Sequence, residues 1–182
     1  GYSLCPDYAP LFRGDNGENM QAIGEMLWAI DYNANSTESY GGTTYILSAS
    51  MASTDITDQS RPNGQINGWA GLRVPYEYVS KYFGVSGQDY DTGTYEVADK
   101  RGEVFYIRGR SESMDGALYS FMNGWTCLKF NNIPHDQTDN SYLDVSATLN
   151  FSNVNFPMIR LAEIYLIYAE ACMNLGQGSL AL

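Results

Sequence analysis

Six side chains between positions 40 and 69 carry chemistry suited to a polyhydroxylated ligand. Tyr40, Tyr45 and Trp69 offer flat ring faces that match the C–H-rich faces of sugars, and Asn63, Gln65 and Asn67 offer amides for hydroxyls. Trp69 lies between Gly68 and Gly71, where missing side chains would let a ligand approach the backbone. Trp69 could equally be a packing anchor for the helix that follows it. Tyr40, just before Gly41-Gly42, is expected at the surface. Trp28 sits inside an apolar run, and it and Trp125 are both expected in the core.

Catalytic chemistries fit less well. His135 is the only histidine and falls in a polar loop, so no His-pair metal site or H-E-x-x-H helix is available. There is no G-x-S-x-G nucleophile motif. The 21 acidic residues allow many carboxylate pairs, and the spacing that glycoside hydrolysis needs is a three-dimensional property. A secreted glycan-processing enzyme therefore stands as an alternative, beside an interaction module without sugar affinity. The loop holding Asp136, Asp139, Asn140 and Asp144 has oxygen ligands for calcium but lacks EF-hand spacing, so no metal is assigned. Cys5, Cys127 and Cys172 have neither disulfide-framework nor zinc spacing. No cofactor is expected.

The composition sets the class of partner. The chain has 182 residues and a net charge of −11, from 10 basic and 21 acidic side chains. Phosphate-backbone binding relies on Lys and Arg, so nucleic acid and anionic membrane surfaces are poor partners. Aromatic residues are heavily used, with 15 Tyr, 7 Phe and 3 Trp. No apolar run approaches the roughly 18 residues of a membrane-spanning helix.

The elements that must position these groups are short. Glu25 to Asn33 reads as a buried strand, and the polar stretch from Ala34 to Arg73 has strand character only at Thr44 to Leu47. Pro75 to Phe83 reads as an amphipathic helix, residues 84–100 as a loop, and Glu103 to Arg108 and Trp125 to Phe130 as strands. The strongest periodicity runs from Pro157 to Leu175, before Gly176. Ile159, Ala162, Leu166, Ala169 and Met173 form one apolar stripe, and Leu161, Tyr165, Tyr168 and Cys172 a second. Such a helix packs on two sides, as in a stacked helical-hairpin array. Nothing else in the sequence would cover both stripes, so the chain reads as part of a longer protein, with exposed apolar surface on this helix. Arg160, Glu163 and Glu170 on the remaining face read as ion-pairing residues that brace the scaffold.

The run Pro157-Met158-Ile159-Arg160-Leu161-Ala162-Glu163-Ile164-Tyr165-Leu166-Ile167-Tyr168-Ala169-Glu170-Ala171 resembles the signature helix of the SusD/RagB family. Three looser segments follow the family's order. These are Tyr2-Ser3-Leu4 through Leu11-Phe12 to Glu25–Ile30; Gly68-Trp69 through Pro75 and Phe83 to Asp99-Lys100-Arg101; and Gly124-Trp125 to Lys129-Phe130. The resemblance implies a mixed α and irregular/β fold. A loop-rich ligand-binding region with short strands would span residues 1–156, and one scaffold helix of a truncated tetratricopeptide-like array would span residues 157–182. It also implies non-catalytic oligosaccharide capture on the outer face of the Bacteroidetes outer membrane, for a SusC-like TonB-dependent transporter. Attachment would be through a lipid anchor that this chain lacks. Within that role, Tyr40, Tyr45, Asn63, Gln65, Asn67 and Trp69 are the expected ligand-binding residues.

Overall fold

The structure is a computed structural model that describes residues 1–57, 60–114, 123–137 and 150–181. It is a mixed assembly of helices and short strands, and the sheets among the described residues are two-stranded ribbons. Asn19 starts the first helix, α1 (Met20–Glu25), by accepting the Gln21 and Ala22 amides on its side-chain oxygen at 3.0 and 3.3 Å. The chain passes directly into β1 (Met26–Ile30), which pairs antiparallel with β6 (Phe156–Arg160). Met26 lies opposite Arg160, and Ile30 opposite Phe156.

This pairing alters three expectations. The helix predicted from Pro157 begins at Leu161, as α4 (Leu161–Asn174), because Pro157 to Arg160 are drawn into the β1 ladder. Pro157 costs little there, since a ribbon strand has a free edge for a residue without an N–H. Trp28, expected in the core, is 58% exposed, because no layer covers its face of the ribbon. Arg160 ion-pairs with Glu25 at 2.8 Å rather than with a carboxylate of its own helix, and the second Glu25 oxygen accepts the Cys5 amide.

Trp125 is fully buried, as expected, among Val79, Val85, Phe105 and Ile107. Its backbone pairs with Val74, and the Tyr95 ring meets its face edge-on at 5.0 Å. α3 (Tyr76–Phe83) contributes Val79 to this core and begins one residue after the predicted Pro75. Residues 84–100, predicted as loop, contain the hairpin β2 (Ser86–Asp89) and β3 (Thr94–Glu96). The two longer predicted strands shrink to β4 (Phe105–Tyr106) and β5 (Thr126–Cys127), which pair with each other. A smaller core of Leu11, Phe12 and Ala22 packs against Tyr8, Met26 and Phe130.

Thr44 to Leu47, predicted as a strand, lies in a helix, α2 (Gly42–Ser50). β-branched residues favour strands only weakly, and here tertiary burial outweighs them: Thr43, Thr44, Leu47, Ser48, Ala49 and Ser50 are all buried. α4 is the opposite case. Of its residues Cys172 is buried, whereas Ile164, Tyr165, Leu166, Ile167, Tyr168 and Met173 are exposed. It ends in a Schellman turn, with Gly176 at φ +71° donating to the Met173 carbonyl and Gln177 to that of Cys172. No helix among the described residues is long and apolar enough to cross a membrane.

Candidate functional site

The end of α2 organises the candidate site. A helix leaves its last four carbonyls without intrahelical partners, and in α2 each finds one elsewhere in the chain. The Asn63 side-chain amide donates to Leu47 O at 2.6 Å, and the Trp69 backbone N–H to Ser48 O at 2.8 Å. The Leu72 N–H donates to Ala49 O at 3.1 Å, and the Thr126 hydroxyl to Ser50 O. One residue on, Ala70 N–H donates to Met51 O at 2.8 Å. The segment carrying Trp69 is thus seated on the helix terminus by its own backbone.

Gly68 makes this seating possible, because a Cβ there would lie 2.5 Å from the Ala52 carbonyl carbon. The close approach anticipated at Gly68 is therefore to Ala52, within the chain, whereas Gly71 faces open space. Beyond Ala52, the Asp55 carboxylate accepts the Ala52 amide at 2.9 Å and ion-pairs with Arg110 at 2.6 Å. Both side chains of that pair are almost fully buried.

Three of the predicted residues meet on the surface above this frame. The Tyr40 and Tyr45 rings lie 5.8 and 6.3 Å from the Trp69 ring, tilted by 57° and 50°. Their exposures are 63% for Tyr40, 51% for Tyr45 and 41% for Trp69. Phe151 extends the group, 5.2 Å from Tyr40. Nothing local in the sequence marked Phe151, because its neighbours in space come from a distant part of the chain. Asn67 joins the rim, its amide 3.4 Å from the Asn150 side-chain oxygen. The result is a faceted aromatic surface with amides beside it, which offers apolar faces and hydrogen-bonding groups to one ligand.

Asn63 and Gln65, also expected to touch ligand, are fully buried. A molecule lying on the rings does not reach them. The Asn63 amide is committed to capping α2, and its oxygen accepts the Gln65 amide at 3.2 Å. The Gln65 side-chain amide has no partner among the described residues.

Other asparagines brace the same loops. Asn16 donates to the carbonyls of Leu11 and Asn155 and accepts the Asn155 amide, each at 2.9 Å. Asn155 accepts Tyr32 N–H and Asn153 accepts Ala34 N–H, both at 2.8 Å. Asn132 accepts Asn153 N–H at 2.8 Å. Buried backbone in irregular segments needs such partners, and here side-chain amides supply them where a sheet ladder would.

No group of three or more His, Cys, Asp or Glu among the described residues could hold a metal ion. Asp139, Asn140 and Asp144 of the loop considered for calcium lie outside the described residues. The three cysteines are free.

Comparison with known proteins identifies the family. The model of the SusD family matches residues 87–182, just over half of the chain. Starch-binding protein SusD of Bacteroides thetaiotaomicron is 26% identical over 207 residues, covering 96% of this chain and 36% of that protein. A SusD-like protein of Bacteroides ovatus is 26% identical over 182 residues, covering 96% of this chain and 28% of that protein. The chain thus spans about a third of the length of these curated relatives. The matched region begins within β2 and includes β6 and α4, whose sequence carries the resemblance noted above. The chain belongs to the SusD family.

Proposed function

We propose that this chain forms the loop-rich, ligand-binding part of a non-catalytic protein that captures oligosaccharide at the bacterial cell surface. The observation that carries this reading is the convergence of Tyr40, Tyr45 and Trp69 into one exposed surface on a hydrogen-bonded frame. Sugar rings stack on the aromatic faces, and Asn67 at the rim addresses hydroxyls. Asn63 acts from beneath, by capping the α2 terminus on which the Trp69 segment rests. A relative named as starch-binding supports a glycan as ligand.

The wider role extends this reading through family membership. The captured oligosaccharide is delivered to a SusC-like TonB-dependent transporter, and the protein is held at the outer membrane by a lipid anchor. Residues 1–156 supply the ligand-binding region. Within residues 157–182, α4 belongs to a tetratricopeptide-like scaffold whose neighbouring helices cover its apolar faces.

A glycan array on the full-length protein, followed by calorimetry with the best ligand, tests the proposal. Trp69→Ala and Tyr40→Ala are each expected to weaken binding by roughly tenfold or more while leaving the unfolding transition in place. Full affinity in both variants would overturn the residue assignment. Hydrolysis products appearing from the bound oligosaccharide would overturn the non-catalytic reading.

A further inference from the structure

A cleft of about 630 Å³ opens elsewhere in the loop region. Its walls are the N-terminal turn with Tyr8, Phe12 and Arg13, the 3₁₀ segment Lys100–Val104, and the stretch from Leu128 to His135. It shares no residue with the aromatic platform.

Its charge runs against that of the whole chain. The net charge is −11, yet four of the 10 Lys and Arg residues line this cleft, facing the carboxylates of Asp7 and Glu103. Two of the four cations are matched locally: Lys100 lies 3.4 Å from Asp7, and Arg101 pairs with Asp99. Arg13 and Lys129 differ. Among the described residues, neither has a carboxylate within ion-pair distance.

Lys129 is held by rings instead. Its ammonium lies 4.1 Å from the Phe12 centroid, 5.5 Å from that of Tyr8 and 5.8 Å from that of Phe130. Ring faces attract a cation without neutralising it. Arg13 is half-buried, and burial lowers its guanidinium pKa against the weaker opposing pull of Asp15 and Asp7. Guanidinium nevertheless stays protonated in proteins. Two partly desolvated cations with no carboxylate in ion-pair contact favour an arriving anion, through charge-assisted hydrogen bonds of the stronger kind.

Apolar walls from Tyr8, Val104, Leu128 and Ile133 stand beside those cations, which favours an organic anion over a bare inorganic one. The volume falls in the range of small-molecule sites. We propose that this cleft binds a small organic carboxylate, such as an acidic sugar, with Arg13 and Lys129 as its anion contacts. Binding here is independent of the aromatic platform, so either site can fail without the other.

The test titrates the full chain with sodium glucuronate, glucose and sodium sulfate at constant ionic strength, followed by NMR or calorimetry. Glucose isolates the ring without its carboxylate, and sulfate isolates the charge without the ring. Glucuronate is expected to bind roughly tenfold or more tightly than glucose and to weaken as salt is raised. Lys129→Gln and Arg13→Gln are each expected to lower glucuronate affinity by about tenfold. If Arg13→Gln fails to fold, Lys129→Gln and the charge-keeping Lys129→Arg decide the matter. Equal affinity for glucose and glucuronate overturns the proposal. So does full glucuronate affinity in folded Lys129→Gln, or sulfate binding that glucuronate does not displace.

Discussion

The aromatic platform and helix α4 expose similar residues for different physical reasons. Tyr40, Tyr45 and Trp69 are exposed while their backbones are tied down: the Trp69 segment rests on the α2 carbonyls and on a turn held by Asp55 and Arg110. On α4, Tyr165 and Tyr168 are comparably exposed, but they stand among Ile164, Leu166 and Ile167 with almost nothing packed on the helix. An aromatic surface pre-organised by its neighbours loses little entropy on binding and suits a small ligand. An apolar helix surface of this kind suits another helix. Exposure alone does not separate the two, whereas the hydrogen bonds beneath the rings do.

The sharpest way to break this contrast is at the buried ion pair. Arg110→Ala leaves the Asp55 carboxylate buried without its cation and is expected to cost about 3–5 kcal/mol in denaturant unfolding. Unchanged stability would mean that the turn beneath Trp69 is not held as described. Asn63→Ala leaves the Leu47 carbonyl of α2 unsatisfied and should cost about 1–3 kcal/mol. It should also weaken oligosaccharide binding although Asn63 is out of the ligand's reach. Loss of stability with full affinity would separate the frame from the site.

The half-buried tyrosine beside Trp125 predicts a pH response away from both surfaces. Burial pushes the Tyr95 hydroxyl up to about 12, where it donates to the Gly102 and Phe105 carbonyls. Because the folded pKa is raised, this stabilisation is complete below the ordinary value of 10.0 and is lost as pH rises through about 12. Alkaline unfolding followed by Trp125 fluorescence should show that loss, and Tyr95→Phe should flatten it. The smallest effect is expected on α4, where Leu166→Ser should change the stability of this chain by no more than about 0.5 kcal/mol. A large destabilisation would show that α4 packs within the chain after all.

Much of the helical pattern was legible in sequence because it is local. Tyr76–Phe83 is marked by Pro75 and Val79, and the end of α4 by Gly176. Trp125 was expected in the core and is fully buried. Two of the errors share one cause, long-range partners. Pro157 to Arg160 have helical periodicity and become a strand only because β1 offers a ladder. Thr44 to Leu47 have strand propensity and become helix because that face is buried.

For the candidate site, the residue types singled out Tyr40, Tyr45, Asn67 and Trp69, which the fold brings to one surface. The sequence could not separate them from Asn63 and Gln65, because a surface amide and a capping amide have the same composition and turn-rich surroundings. It gave no sign of Phe151, which reaches Tyr40 only through the fold. Residue chemistry is thus set by the sequence alone: rings, amides, an acidic total charge and one strongly periodic helix. Which groups converge, which are spent on orphan carbonyls, and which cations share a cleft were decided by tertiary structure. Those outcomes depend on distances between segments that no local pattern encodes.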